Sequence, residues 1–519
     1  MFSIKHLNLP LFCFTIFVFS CSELDDFDNR LKSLEESNQV EVLQPKLNSI
    51  LFPYRSNSLN LLEDVGGAII GDSIVDVWVK NIMKDKVLTP IFEFTGDSVL
   101  IDNILYKEGT SYNFSKPVTI TVKKGDASQV YKLFVHSFTG LPVLWIDTDN
   151  RTEITNREDY IDAHFKLVED VITRGAGDIV ESDVKIKGRG NTTWFQPKKP
   201  YRLKFDNKIS LLGESADKSW VLLANYLDKT LLRNTVVFYL GSISNIDYTP
   251  KSHFVELMIN GQYYGNYQLT EKIKVSKNRL NIGDDGFLIE VDYYARTEAD
   301  AVSFWTDNIG NPLSIKEPDI SYNDENFDFV KSYILKAEEV LFSDYFTDPG
   351  MGWQKYLDID TFVDWYLICE IAKNADSRFV SSCYMNLKKG GKLKMGPLWD
   401  FDCSMKNASY YPWANTTGGL MLTDVKWFAR LLEDPVFVHK LKERFDYYYS
   451  QKSIILNEIN EKTQYLKYSA IENSNRWNIF YNVTEGNYDI WGSYYNEVQS
   501  LKIWLNERFE KLKVEINKL

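Results

Sequence analysis

Hydrophobic spacing divides this chain into stretches of different period. A largely apolar run from Leu9 to Phe19, preceded by Lys5 and His6, gives way to a polar, charged stretch over residues 22–46. That stretch carries Leu24, Phe27, Leu31 and Leu34 at helical spacing, too short a pattern to predict a coiled coil. From Leu47 to Phe138 the pattern is β. Ile74, Val75, Val77, Trp78 and Val79 make one apolar strand, and Val118, Ile120 and Val122 alternate in another. The turn Gly125-Asp126 then leads into a return strand with Val130, Leu133 and Val135. Short strands broken by turn residues predict an immunoglobulin-like β-sandwich over residues 47–139.

Gly140-Leu141-Pro142 reads as a linker, and a strand from Val143 to Ile146 opens a second domain, residues 140–519, where helical and strand periods alternate. One strand places Tyr201, Leu203 and Phe205 on one face and Arg202 and Lys204 on the other. Asp228 to Leu240 has a cap and apolar spacing for a helix, and Phe254–Ile259, Asn260-Gly261 and Tyr263–Leu269 spell a hairpin. Phe362, Trp365, Tyr366 and Cys369 share one helical face, and Val498, Leu501, Leu505, Phe509, Leu512 and Ile516 stripe the last helix. The expected fold class is multidomain α+β.

At 519 residues the chain exceeds one ordinary core, and 44% hydrophobic with 25% charged residues is normal for a folded protein. A net charge of −13 argues against a nucleic-acid partner, which would need a basic face. The apolar run is too short for a comfortable permanent span. It ends in Val18-Phe19-Ser20-Cys21, which resembles a bacterial lipoprotein cleavage site. That resemblance implies a signal peptide over residues 1–20, lipidation of Cys21, an acidic tether over 21–46 and a protein anchored in the outer membrane at the cell surface. The acidic Glu23, Asp25, Asp26 and Asp28 and the β-module resemble those of Bacteroidetes surface lipoproteins. Cys369, Cys383 and Cys403 show no CxxC spacing, and the five histidines form no HExxH, so no zinc site is indicated.

The richest chemistry lies in Gly188-Arg189-Gly190-Asn191-Thr192-Thr193-Trp194 and the lysine-bearing strand after it. Glycines allow close backbone approach to a phosphate, and a fixed lysine supplies charge for it. Asp376 and Trp399-Asp400-Phe401-Asp402 add carboxylates of the kind that hold magnesium. Together these residues point to phosphoryl transfer.

The segments GRGNTTW, PKKPYRLKFD, LLGESADKSWVLLANYLDKTLLRN, VELMINGQYYGNYQLTEKI and MGPLWDFD resemble the CotH kinase family, named for spore-coat protein H. The resemblance implies an atypical protein-kinase-like domain that uses ATP with Mg2+ (or Mn2+) to phosphorylate serine or threonine of secreted proteins. It implies a metal ligand at Asp400, with Asp402 either sharing the ion or bonding its loop. Asp376 is expected either to orient the acceptor hydroxyl or to hold a second ion, with Asn374 assisting. Gly188, Arg189, Gly190 and Asn191 are the phosphate turn. Lys204 is the preferred phosphate lysine over its flanking rivals Lys198 and Lys199. Glu271, ending the hairpin, completes the nucleotide set. There is no GxGxxG, HRD or DFG, and residues 228–240 hold no glutamate to pair the lysine, so that pair is either absent or supplied from elsewhere, with Glu256 a candidate. The competing expectation is a non-catalytic adhesin, or a glycan- or protein-binding lipoprotein that keeps the fold.

Overall fold

The computed structural model describes residues 44–79, 83, 85–169, 179–297, 301–408, 410–482 and 489–519. The signal segment, Cys21 and nearly all of the tether lie outside the described residues. The fold is mixed α+β, with seven α-helices and several sheets among the described residues.

The N-terminal module contains β1 (Lys46–Phe52), α1 (Tyr54–Asn57), β2 (Val65–Ile70), β3 (Ile74–Val79), β4 (Val87–Leu88) and β5 (Ile91–Thr95). It continues with β6 (Ser98–Ile101), β7 (Ile104–Leu105), β8 (Tyr112–Asn113), β9 (Val118–Lys124) and β10 (Ala127–Ser137). Eight strands run in the order β5-β1-β2-β3-β10-β9-β6-β7, with β3 and β10 parallel, and β4 pairs β8 apart from them. Val75, Val77, Ile120, Val122, Leu133 and Val135 fill one core. Val130 is off that face and 48% exposed, because β10 buries Tyr131, Leu133 and Val135 at period two.

A closed barrel follows: β11 (Val143–Thr148), β12 (Ile161–Val168), β13 (Ile179–Gly188), β14 (Tyr201–Ile209), β15 (Asp217–Leu223), β16 (Ser252–Ile259) and β17 (Gln262–Glu271). Inward residues such as Phe165, Ile186, Leu203, Phe205 and Trp220 fill it with side chains. The β16–β17 hairpin turns on Asn260 and Gly261, both at positive φ as a tight hairpin turn requires.

Between β15 and β16 runs α2 (Arg233–Ser242). After the barrel comes a sheet in the order β19-β20-β18-β21-β22, made of β18 (Gly286–Val291), β19 (Ser303–Phe304), β20 (Leu313–Glu317), β21 (Cys383–Lys388) and β22 (Lys394–Met395). Around it pack α3 (Glu325–Leu341), α4 (Ile359–Ala372), α5 (Lys426–Leu431), α6 (Pro435–Trp477) and α7 (Tyr494–Lys518). Helix α4 is buried from Thr361 to Ala372, so it is a central helix with no solvent face. The α7 stripe, Val498 to Ile516, is buried against the same core. Asp434 caps α6 by accepting from Val436 N–H, a contact worth about 1 kcal/mol. Among the described residues no helix is long and apolar enough to cross a membrane.

Helix α6 joins the parts. Its Glu472 carboxylate accepts from Lys86 Nζ and from Ser137 Oγ (3.1 Å), and lies 3.4 Å from His136 Nδ1. Trp477 Nε1 donates to Tyr264 O at 2.7 Å. Gly265 of β17, at φ +94°, lets α6 come close: a Cβ there would meet Asn473 Oδ1 at 2.4 Å.

Candidate active site

At one end of the barrel, the loop after β13 faces the loop carrying Trp399 to Cys403. They border a cavity of about 640 Å³ that also takes in residues of β18, β20 and β21. Asp376 enters from the single 3-10 turn Ala375–Ser377 that follows α4, after Lys373 closes the helix in the left-handed region at φ 49°.

Asp400 is itself at φ 69°, a conformation a non-glycine residue holds only when its surroundings fix it. Three contacts do so. Ser382 Oγ donates to Asp400 Oδ2 at 3.2 Å, Asn374 Nδ2 donates to Asp400 O at 3.3 Å, and Phe401 N–H donates to Asn234 Oδ1 of α2 at 2.9 Å. Arg233 extends this brace by donating to Ser404 O (2.9 Å) and Met405 O (3.1 Å). Its guanidinium is ion-paired with Asp228, which also accepts from Thr230 N–H and Arg233 N–H. The segment Leu227 to Asn234 therefore ties the start of α2 to the carboxylate loop. Its sequence motif was legible; that role was not.

Asp376, Asp400 and Asp402 all border the cavity. Burial, then the nearby Asp400 charge, pushes the Asp376 carboxyl up to about 6. Burial, then Asp400, Asp228 and Asp376, pushes Asp402 up to about 8. Arg189 lines the same space with its guanidinium 5.5 Å over the Trp399 ring; its backbone N–H donates to Pro200 O at 3.2 Å, and the guanidinium makes no hydrogen bond or ion pair among the described residues. Burial outweighs the attraction of Asp400 and lowers its pKa. Across the cavity border stand Glu290, Asp292, Lys316 and Tyr384, none of them singled out by any sequence motif.

The glycine turn expected to meet phosphate is shaped by its protein neighbours. A Cβ on Gly188 would strike the Trp194 ring at 2.3 Å, so this glycine makes room for Trp194. Gly190 is at φ +85°, and Arg157 Nη1 holds the turn by donating to Gly190 O (2.8 Å) and Asn191 Oδ1 (3.0 Å).

Lys204 is not at the cavity. The barrel is closed, so a mid-strand residue points to the filled interior or to the outer surface, and Lys204 takes the outside. Its Nζ lies 5.7 Å from the Tyr160 ring centroid, beside a separate shallow depression bordered by Asp149, Asp162, Asp183 and Asp206. Glu271 is also elsewhere, satisfied by Arg279 Nη1 (2.7 Å), Tyr248 Oη (2.8 Å) and Lys251 N–H (3.0 Å). Glu256 accepts from Thr139 and Tyr263 and makes no pair with Lys204. Lys198, expected on a solvated flank, is fully buried; its Nζ donates to Ala224 O at 2.7 Å and to Asn266 O.

Residues 186–512 match a family described as CotH kinase protein. The chain belongs to the CotH kinase family. The match begins at Ile186, so β11, β12 and most of β13 precede it although they close the CotH barrel. No curated protein sequence matches the chain. Among solved structures, one from Bacteroides thetaiotaomicron, provisionally named a glycoside hydrolase, is similar at 15% identity and a TM-score of 0.17. That similarity covers 56% of this chain and 88% of the other, and is too slight to bear on fold or function.

In the CotH site, the donor set fits a hard divalent cation: carboxylate oxygens whose mutual repulsion is relieved by opposite charge or by taking up a proton. Among the described residues no three His, Cys, Asp or Glu side chains form a ready-made metal cage. Magnesium is commonly held by one or two protein carboxylates, with water and phosphate oxygens completing its shell.

Proposed function

We propose that this protein is a surface phosphotransferase that moves the γ-phosphoryl group of ATP to serine or threonine of extracytoplasmic proteins. The observation that carries this is the convergence of Asp376, Asp400 and Asp402 with the unbonded guanidinium of Arg189 at one cavity. Asp400 and Asp402 would hold Mg2+ or Mn2+, which when bound offsets negative charge on the phosphates. Asp376, with a carboxyl near 6, can ionise at neutral pH and accept the proton of the acceptor hydroxyl. Arg189 offers donors to the charge that develops on the transferring group.

In this reading the N-terminal module is an immunoglobulin-like spacer, and an acidic tether from a lipidated Cys21 holds the protein at the outer membrane. Residue-specific labelling and membrane fractionation of Cys21→Ala test the anchor: the variant should leave the membrane fraction. The catalytic reading is tested by incubating the purified chain with labelled ATP, magnesium or manganese, and a mixed Ser/Thr peptide pool. Metal-dependent label on hydroxyls is expected. No transfer with either metal, despite intact folding, would favour the adhesin reading.

A further inference from the structure

The displacement of Lys204 leaves the cavity without its expected lysine, yet a phosphate chain beside three carboxylates needs cationic contacts. Among the described residues lining the cavity, the cations are Arg189 and Lys316, set against Glu290, Asp292, Asp376, Asp400 and Asp402. Lys316 projects from β20 and is 31% exposed in its side chain. Its Nζ lies 2.7 Å from Asp292 Oδ2 and 3.3 Å from Glu290 Oε2.

Both carboxylates are themselves fixed. Asp292 Oδ1 accepts from Tyr294 N–H at 2.9 Å, and Glu290 sits cross-strand from Tyr384, which also hydrogen-bonds to it. Three adjacent strands, β20, β18 and β21, thus hold one ammonium in place. An ammonium has three N–H donors, and two carboxylates occupy two of them. The third remains for a ligand.

We propose that Lys316 is the lysine that contacts the phosphate chain of a nucleoside di- or triphosphate, with Glu290 and Asp292 as its positioning residues. This rests on the phosphoryl-transfer reading above and assigns its phosphate contact to the sheet beyond the barrel. Arg189 and Lys316 then grip the anion from two separate elements, the β13–β14 loop and β20. Lys204 takes no part.

The test is equilibrium binding of fluorescent ATP, ADP and adenosine to the purified full chain with magnesium, for the parent, Lys316→Met, Lys316→Gln and Lys204→Met. Lys316→Met and Lys316→Gln should weaken ATP by about tenfold or more, since a charge-assisted contact is lost, and leave adenosine unchanged. Lys204→Met should bind like the parent. Lys316→Gln retains hydrogen bonding to Asp292 and Glu290, so it serves if the methionine variant does not fold. Parent-like ATP affinity in either folded Lys316 variant overturns the proposal and leaves the kinase reading standing. Equal losses for ATP and adenosine also overturn it, because they mark a structural role. A parent chain that binds no magnesium nucleotide overturns both.

Discussion

Asn234 Oδ1 accepts the backbone N–H of Phe401 at 2.9 Å, so the first turn of α2 positions the residue that follows Asp400. The contact is buried and joins positions 167 apart in sequence. Asn234→Ala leaves that N–H without an acceptor and should lower stability by about 1–3 kcal/mol. Transfer should fall more than stability implies, by roughly 100-fold, because Asp400 loses its fixed backbone. Melting temperature and transfer rate measured on the same preparation separate the two effects.

Asp400→Asn is the cleaner test of the carboxylate itself. Asparagine tolerates the left-handed conformation at φ 69°, whereas alanine there adds about 1–2 kcal/mol of strain. Asp400→Asn should abolish transfer with no fall in the apo melting temperature, since it removes a charge that repels Asp376 and Asp402. Asp400→Ala should abolish transfer and also melt lower. Retained transfer in the asparagine variant would remove Asp400 from the mechanism.

The fully buried Arg508 of α7 pairs with Glu370 of α4 at 2.9 Å and donates to Glu370 O, Thr417 O and Gly419 O. Glu370 in turn accepts from Met421 N–H and Leu422 N–H. Arg508→Met strands the carboxylate and should cost about 3–5 kcal/mol by denaturant unfolding. Adding Glu370→Gln should recover part of that loss; a double variant as unstable as the single would refute the charge as the cause.

His136, fully buried, should make stability depend on pH. Burial is the largest effect and opposes its charge, but Asp76 and Glu472 together outweigh it and raise the pKa above 6.5. A raised imidazole stabilises the fold fully below its ordinary value, and that contribution is lost as pH rises through the raised one. Thermal unfolding should therefore weaken from mildly acidic to alkaline pH, and His136→Gln should flatten that slope. An unchanged slope would rule His136 out as its source.

Periodicity carried much of the architecture into view. The alternation of Tyr201, Leu203 and Phe205 against Arg202 and Lys204 appears in β14 as read. What periodicity did not supply was closure: only pairing of β11 with both β12 and β16 closes the barrel and sends Lys204 away from the cavity. Glu290 lies in β18, Asp292 directly follows that strand and Lys316 falls at the register shift between β18 and β20, so only the folded sheet makes their side chains neighbours. Val130 lies on the return strand as expected, and period two from Leu133 puts its side chain on the outer face. Lys198 shows a further limit, since no local signal distinguishes a lysine capped by two carbonyls from one in water.

The junction through Glu472 has a practical consequence for anyone dissecting the chain. A fragment starting at residue 140 would remove Lys86, His136 and Ser137 at once and leave the Glu472 carboxylate on α6 without those partners. The same cut would strip the apolar cover that Trp78 and Phe138 give Tyr263 and Met258. Since α6 continues from there into the helical core, the damage would not stay at the cut face. A protein trimmed to its CotH part would fail assays for reasons unrelated to catalysis, whereas one that keeps residues 44–139 would report on the site itself.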